Sequence, residues 1–306
     1  MRKPILADIS LLFVTFIWGT TFVLVQNAIS LLEPFSFNGI RFLAAAVMLL
    51  LWLFIFERKQ LALLNLKMLA SGVFIGFWLF LGYATQTIGL VYTTTSKAGF
   101  ITGLSVIFVP LFSMFLLKQF PSRNAVIGVS IASIGLFLLT MTDVSSLNIG
   151  DGFVFICAIS FALQIIFTGK FSSKYPTLLL TVIQISTVAV LSILSAFIFE
   201  DWRRSFNPEI LLAQDVIVAL MITSILATAL AFWIQTNFQK YTTATRVALI
   251  FAMEPVFAAI AGYYWADERL SLSALVGCLL IFAGMIFAEL PAKKFPVLRK
   301  DKSFQG

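Results

Sequence analysis

Long hydrophobic runs dominate this sequence and restrict what it can fold into. Of its 306 residues, 60% are hydrophobic and only 11% are charged. A soluble domain carries about 25% charged residues, whereas a helix needs about 20 apolar residues to cross a bilayer core. The sequence therefore predicts an all-α integral membrane protein without a separate soluble domain. Ten runs of suitable length lie at about 6–28, 34–56, 66–90, 95–117, 123–141, 150–170, 176–199, 210–235, 243–264 and 270–289.

The sequence also contains an internal repeat, which predicts how these runs are arranged in the membrane. Residues 86–139 align with residues 235–288 at a constant offset of 149, and eleven pairs are identical, among them Gln86 with Gln235. Each half contains five runs, so the second half must enter the bilayer inverted. We expect ten transmembrane helices arranged as two inverted five-helix repeats, residues 1–145 and 146–290, followed by a basic cytoplasmic tail at 291–306. Inverted repeats are typical of secondary transporters.

The distribution of basic residues predicts the orientation. If the N-terminus is inside, sixteen Lys and Arg residues fall on the inner side and four on the outer side. Short cytoplasmic loops are rich in Lys and Arg, so we expect a multi-pass protein of the plasma or inner membrane with both termini cytoplasmic. The formal net charge of +7 is spread through short loops, and this distribution does not favour nucleic acid as a partner.

Several kinds of chemistry find no support in the sequence. Histidine is absent, and the two cysteines, Cys157 and Cys278, lie inside apolar runs that do not indicate a metal site. No nucleophile elbow, paired histidines or phosphate loop is present. We therefore expect no metal, no cofactor and no enzymatic activity, and keep a membrane enzyme or scaffold only as a remote alternative.

Charged residues inside the spans are the first candidates for function, because a bilayer core offers them no hydrogen bonds. Lys97 and Arg246 occupy equivalent repeat positions and, after inversion, opposite mouths of a central path. They would attract a carboxylate-bearing substrate from either side, or alternatively snorkel to lipid headgroups. Glu254 near the midplane would bind an ammonium group or carry a proton, or else form a structural hydrogen bond beside Pro255. Arg41 is interpreted as structural.

Aromatic and amide side chains recur at similar depth in corresponding spans. Such a mixture favours an apolar pocket with few polar groups, suited to an amphipathic metabolite, although each residue taken alone is consistent with helix packing. The predicted substrate-binding residues are Trp18, Thr21, Tyr83, Gln86, Lys97, Ser105, Phe161, Gln164, Phe232, Gln235, Arg246 and Glu254.

Short motifs along nearly the whole chain resemble those of one transporter group. They include Trp18-Gly-Thr-Thr-Phe22, the segment from Pro34 to Phe42, Tyr83 through Thr94, Gln235 through Arg246, and Glu254-Pro255. With these motifs the sequence resembles the drug/metabolite transporter superfamily, specifically the EamA-type ten-helix carriers. The first half departs from the pattern, since Ser105-Val106 stands where the second half has Glu254-Pro255.

The resemblance implies a central cavity lined by spans one, three, four, six, eight and nine, and the export of amino acids or related metabolites. We therefore expect an alternating-access transporter for a small amphipathic molecule, in which the two halves rock about a midplane site. A multidrug or nucleotide-sugar-type carrier is the alternative. The expected partners are the substrate and the lipid bilayer, with proton coupling through Glu254 as an option and a monomer favoured over a dimer.

Overall fold

The fold is helical throughout the described part of the chain. The computed structural model describes residues 3–93, 95–140, 148–205, 207–265 and 271–290, and no strand occurs within these ranges. In the first half the helices are α1 (Lys3–Ile29), α2 (Pro34–Phe56), a 3-10 helix (Arg58–Leu63), α3 (Leu66–Tyr92), α4 (Thr95–Gly103), α5 (Ser105–Leu117) and α6 (Arg123–Thr140).

The second half is also helical in its described residues, and it includes one π-helical segment. Its helices are α7 (Ile149–Ser172), α8 (Thr177–Phe199), α9 (Trp202–Ser205), α10 (Pro208–Leu211), α11 (Gln214–Ile222), a π-helical segment (Thr223–Leu230), α12 (Ala231–Gln239), α13 (Ala244–Phe251), α14 (Glu254–Trp265) and α15 (Leu272–Glu289).

Much of this helical structure has the length and composition of membrane spans. Among the described residues, eight helical segments are long and apolar enough to cross a membrane, and two shorter apolar helices lie at Arg123–Leu139 and Leu272–Ala288. Large apolar side chains also remain on the outer surface, for example Phe54, Phe115 and Leu279. Such a surface suits lipid rather than water, so this is a multi-pass membrane protein.

Two of the hydrophobic runs contain helix breaks near their centres. The fourth run divides at Leu104, between α4 and α5, and the ninth divides at Ala252 and Met253, between α13 and α14. The second break immediately precedes Glu254 and Pro255. Proline lacks a backbone N–H and cannot extend the hydrogen bonding of a preceding helix. The break therefore places Glu254 at the start of a new helix in the middle of the bundle.

A glutamate from another helix caps the start of α2. Glu33, in the N-cap position, makes no side-chain cap there. Instead, the Glu200 carboxylate at the end of α8 accepts hydrogen bonds from the backbone amides of Phe35 (2.6 Å) and Ser36 (2.8 Å) and from the Ser36 hydroxyl (2.7 Å). Burial raises the pKa of the Glu200 carboxyl, while these hydrogen bonds oppose the shift. The carboxylate thus joins α8 to α2.

The two largest clusters of the hydrophobic core among the described residues each draw on both halves of the chain. Lobe A is built around a cluster from α5, α6, α13 and α15, with Leu136, Val247 and Ile281 among its buried members. Lobe B is built around a cluster from α2, α3, α8 and α12, with Phe42, Leu79 and Leu180 among its members. Helices α1 and α7 contribute to both lobes.

Inside lobe A, helices α6 and α15 contact each other through their backbones at glycine residues. A Cβ atom added at Gly128 would lie 2.5 Å from the Gly284 carbonyl oxygen, and one added at Gly277 would lie 2.5 Å from the Gly135 oxygen. The contact is reciprocal, since a Cβ atom at Gly284 would lie 2.6 Å from the Gly128 oxygen. Only glycine permits so close an approach of two helices. These four residues form the glycine seam, which links the first half to the second.

Candidate functional site: a cavity between the two lobes

A cavity of about 450 Å³ lies between lobe A and lobe B. This volume is within the range of small-molecule sites, about 300–1,000 Å³. Its walls combine aromatic, uncharged polar and charged side chains in one space. The residues that define its chemistry are Trp18, Thr21, Arg41, Tyr83, Gln86, Thr102, Ser105, Phe161, Gln164, Phe232, Phe251 and Glu254.

The aromatic walls pack on one another and fix the shape of the cavity. The ring of Trp18 lies 5.4 Å from that of Phe232 and 5.0 Å from that of Phe251, and the ring of Tyr83 lies 5.3 Å from that of Phe161. These are separations at which aromatic pairs attract. The walls are therefore apolar and preorganised, which suits an apolar portion of a ligand.

The indole of Trp18 is held by the π-helical segment. Its Nε1 donates a hydrogen bond of 2.8 Å to the carbonyl oxygen of Ala227, which lies within Thr223–Leu230. A π-helical turn shifts the backbone pairing from i+4 to i+5 and often marks a functional site. The hydrogen bond anchors Trp18 in α1 to lobe B.

Arg41 is almost completely buried and reaches the cavity wall. Its residue is 3% exposed, and its Nε donates a hydrogen bond of 2.7 Å to the hydroxyl of Thr228. Its Cζ lies 5.1 Å from the ring centre of Tyr83 and 5.3 Å from that of Phe42. A cation at these distances is attracted by the faces of the rings. The guanidinium is thus fixed in position on lobe B.

Glu254 faces the same cavity from the opposite lobe, at the break between α13 and α14. No hydrogen bond to its carboxylate occurs within the described part of the chain. Arg41 and Glu254 interact electrostatically but do not form an ion pair with each other. They are the only charged side chains among the described residues that line the cavity.

The cavity extends from the middle of the bundle towards one end only. We call the end where α1 begins the proximal end and the end where α1 finishes the distal end. Distal parts of several helices line the cavity, including Gln26 of α1, Leu90 of α3, Gly99 of α4 and Ser271 before α15. In α7 the lining ends at Gln164 and Ile165 and does not include the proximal last turn of the helix. The space therefore approaches the distal end and stops short of the proximal end.

A network of buried amides closes the floor of the cavity on the proximal side. The Nε2 of Gln235 donates to the Oε1 of Gln164 (3.2 Å) and of Gln239 (3.3 Å), and Gln239 in turn donates to the carbonyl oxygen of Ile165. Gln164 donates to the hydroxyl of Thr168 at 3.1 Å. These bonds tie α7 to α12 directly beneath the cavity.

An ion pair lies farther towards the proximal end. The Nη2 of Arg246 in α13 lies 2.9 Å from the Oδ2 of Asp8 in α1, and the two side chains are 31% and 23% exposed. Arg246 does not line the cavity. The pair joins α1 to lobe A on the closed side.

The structure brings most of the predicted site residues together. Nine line the cavity: Trp18, Thr21, Tyr83, Gln86, Ser105, Phe161, Gln164, Phe232 and Glu254. Two others do not, because Gln235 belongs to the amide network and Arg246 pairs with Asp8. The side chain of Lys97 lies outside the described residues. Sequence analysis missed Phe251 and Thr102, and it interpreted Arg41 as structural although its charge within a span was a usable signal.

Comparison with known proteins identifies relatives over the whole bundle. The profile of the EamA-like transporter family matches residues 5–141 and again residues 148–289. An uncharacterized transporter of Archaeoglobus fulgidus is 32% identical over 288 residues, covering 94% of this chain and 87% of the relative. The uncharacterized transporter YoaV of Bacillus subtilis is 26% identical, covering 93% of this chain and 96% of the relative. A protein of known crystal structure superposes with a TM-score of 0.76 at 18% identity, covering 92% of this chain and 96% of its own, which shows the shared fold.

Proposed function

The chain belongs to the EamA-like transporter family and is a membrane transporter rather than an enzyme, and on that premise we propose that it exports small amphipathic metabolites by alternating access. Amino acids and close relatives are the proposed substrates. The proposed location is the plasma or inner membrane, with both termini cytoplasmic, which places the distal end of the cavity outside the cell.

The observation that carries this proposal is the one-sided cavity. Its lining reaches the distal end, whereas the amide network of Gln235 and the Asp8–Arg246 pair lie between its floor and the proximal end. A carrier must expose one site to one side at a time, and a site that is open on one side and closed on the other is the expected resting geometry. The amide network and the ion pair are the contacts that would break when the proximal side opens.

The packing of the core refines the mechanism expected from the sequence. Each lobe contains helices of both halves, and the glycine seam joins α6 to α15 within lobe A. We therefore propose that lobe A moves against lobe B, with the cavity at their interface, rather than one half of the chain against the other. Ten crossings arranged as two inverted repeats, residues 1–145 and 146–290, remain part of the proposal.

The chemistry of the cavity favours an amino acid over the alternative substrates. A nucleotide sugar carries phosphate charges that need several cations, and Arg41 is the only cation on the described part of the lining. A lipophilic organic cation would find Glu254, but it would also meet the buried charge of Arg41. A net-neutral zwitterion crosses a membrane potential without electrical work, whereas each net charge is worth about 2.3 kcal/mol per 100 mV.

Counterflow in reconstituted vesicles tests the proposal directly. The purified protein is screened by thermal shift against amino acids and related metabolites, because a bound ligand raises the unfolding temperature by mass action. A labelled form of each hit should then accumulate in vesicles that were preloaded with the unlabelled compound. Absence of counterflow for every stabilising ligand would contradict export as the function.

Labelling from the two sides of the membrane tests the inverted arrangement. Ser122 precedes α6 and Ser271 precedes α15, at equivalent repeat positions. In variants whose native cysteines are replaced, we expect S122C to react with a membrane-impermeant thiol reagent from the cytoplasmic side and S271C from the outside. Reaction of both from the same side would contradict the inverted repeat.

A further inference from the structure

Two opposite charges face each other across a cavity that is otherwise uncharged in its described lining. Arg41 lies on lobe B and Glu254 lies at the helix break next to lobe A. The two side chains interact electrostatically but do not form an ion pair with each other. Leaving a separated cation and anion at a cavity wall is costly in a bilayer core unless they have a partner or water. The arrangement therefore has the charge pattern of a site rather than of a structural ion pair.

The supports of the two charges differ in a way that also points to a ligand. The guanidinium of Arg41 is positioned by Thr228 through Nε and by the ring faces of Tyr83 and Phe42. Such a fixed, planar group recognises carboxylates with two parallel hydrogen bonds. The carboxylate of Glu254 accepts no hydrogen bond from any described residue, so its acceptors are available to an ammonium group.

Building on the transport function proposed above, we infer that Arg41 and Glu254 form a clamp for a zwitterion. Arg41 binds the carboxylate and Glu254 binds the ammonium of one substrate molecule, so the α-carbon lies between the two lobes. The rings of Trp18, Phe161 and Phe232 surround the remaining space. The substrate class is therefore an α-amino acid or analogous zwitterion with an apolar side chain. A molecule with only one of the two charges leaves the opposite protein charge unpaired.

Three compounds with the same apolar group separate the two contacts. L-phenylalanine carries both charges, phenethylamine lacks the carboxylate, and hydrocinnamate lacks the ammonium. Dissociation constants are measured for the purified full-length protein in nanodiscs. The unmodified protein should bind phenylalanine about 10- to 100-fold more tightly than either analogue, the range expected for one charge-assisted hydrogen-bonded contact.

Variants then assign each charge to its partner. In R41Q the affinity for phenylalanine should fall to that for phenethylamine, while phenethylamine binds at least as well as before. In E254Q the affinity for phenylalanine should fall to that for hydrocinnamate. The matched controls are K67Q and E57Q, which neutralise an exposed lysine and an exposed glutamate away from the cavity and should keep the original ranking.

The clamp is overturned if the unmodified protein binds phenethylamine or hydrocinnamate as tightly as phenylalanine. It is also overturned if R41Q and E254Q both keep the original ranking. If R41Q does not fold, the affinities of the unmodified protein for the three compounds still test the clamp. Counterflow is measured separately. If the protein exchanges some other metabolite but shows no preference for the zwitterion, the clamp is contradicted and the proposed transport function is supported. If the protein shows the expected ranking of affinities but no counterflow, the clamp is supported and the proposed transport function is contradicted.

Discussion

Glu254 combines an uncommon position with an uncommon environment for a carboxylate in a membrane protein. It begins α14 directly after a break in the helix, and it faces a cavity rather than lipid. A carboxylate at a helix N-terminus is stabilised by the helix dipole. The same helix break gives its side chain access to a ligand from the distal side. Position and access together make Glu254 the residue whose chemistry most directly tests the proposed transport cycle.

We predict that E254Q lowers the initial rate of transport in reconstituted vesicles by about tenfold or more, because a neutral amide loses a charge-assisted hydrogen bond worth about 1.5–3 kcal/mol. If Glu254 also carries a proton, the dependence of the rate on pH in the neutral range should flatten. E57Q, which alters an exposed glutamate, is the control. An unchanged rate together with an unchanged pH profile would remove Glu254 from the mechanism.

Residue types within spans predicted much of the cavity, but not which partner each charge would have. The in-span position of Glu254 and the repeated aromatic–amide pairs were sufficient to place nine residues in the lining. Arg41 was interpreted as structural, and Arg246 was predicted to contact the substrate or to snorkel to lipid headgroups. Arg41 lines the cavity, and Arg246 pairs with Asp8, a residue 238 positions away in the sequence. Such long-range pairs depend on the packing of α1 against α13, which no local pattern specifies.

Among the elements, α6 and α15 are the pair whose contact depends most strictly on residue size. We predict that Gly128→Ala destabilises the protein by about 1–3 kcal/mol, the usual cost of overpacking, because its Cβ would lie 2.5 Å from a backbone oxygen of α15. The backbone of one helix would have to move. Thermal unfolding followed by tryptophan fluorescence measures the effect.

Gly152→Ala provides the matched control, since a Cβ at Gly152 in α7 meets no atom within 4 Å. It should be neutral or stabilising by up to about 1 kcal/mol, because alanine favours a helix more than glycine does. Equal destabilisation by the two substitutions would show that helix propensity and not the close contact explains the result.

The contact between α8 and α2 depends on one carboxylate. We predict that Glu200→Gln lowers the unfolding temperature, because one amide oxygen cannot replace two carboxylate oxygens that accept three hydrogen bonds. A donor left unsatisfied costs about 1–3 kcal/mol. The exposed Glu209 supplies the control variant, Glu209→Gln, which should leave the unfolding temperature unchanged.

The pH dependence of this difference has a defined sign. Burial raises the pKa of Glu200, so the folded protein holds its proton more tightly than the unfolded chain does. The stability difference between the unmodified protein and Glu200→Gln is therefore largest below the pKa of the unfolded chain. It should decrease as the pH rises through the pKa of the folded state. An increase over that range would contradict the burial of this carboxyl.

Local sequence patterns predicted the helices well and their interruptions poorly. The second run was placed at 34–56, and α2 spans Pro34–Phe56. The break at Leu104 has no proline beside it, and the π-helical segment Thr223–Leu230 lies in a continuous apolar stretch. The first interruption borders the cavity at Gly103, and the second holds the cavity residue Trp18 through the carbonyl oxygen of Ala227. Hydrophobic periodicity reports a buried face but does not report a change in backbone pairing.

At the scale of the whole molecule, the Asp8–Arg246 pair lies between the cavity and the proximal end. Each side chain is partly exposed, and such pairs contribute about 1 kcal/mol or less. We predict that Asp8→Asn shifts the equilibrium towards a proximally open state by up to about fivefold. The reporter is a cysteine that replaces Phe251 of the cavity lining, in a protein without its native cysteines. Its labelling by an impermeant reagent from the proximal side should become faster.

A double substitution separates the ion pair from unrelated effects. If the pair itself favours closure, Arg246→Gln added to Asp8→Asn should increase the labelling rate little further, because the interaction is already lost. Labelling that is unchanged in Asp8→Asn, or additive in the double variant, would mean that the pair does not control the proximal side.

The membrane class was predictable from composition, since the bilayer restricts the chain so strongly. The partition of the helices into lobes was not. The repeat suggested two separate halves, whereas the closest helix pairs, such as α6 with α15 and α2 with α8, join one half to the other. Interior surfaces that match across the halves are a property of packed side chains, and a repeat in sequence does not reveal them.

This interleaving has a consequence for how the polypeptide matures. Lobe A does not contain its complete set of buried partners until helices α13 to α15 have left the ribosome, because Val247 and Ile281 complete the cluster around Leu136. Lobe B likewise lacks Phe232 until α12 has been made. The helices that are synthesised first must therefore remain in the lipid with their apolar and glycine-rich faces unpacked. Synthesised as two separate pieces divided between residues 141 and 148, the fragments should be degraded when made alone and should rescue each other when made together.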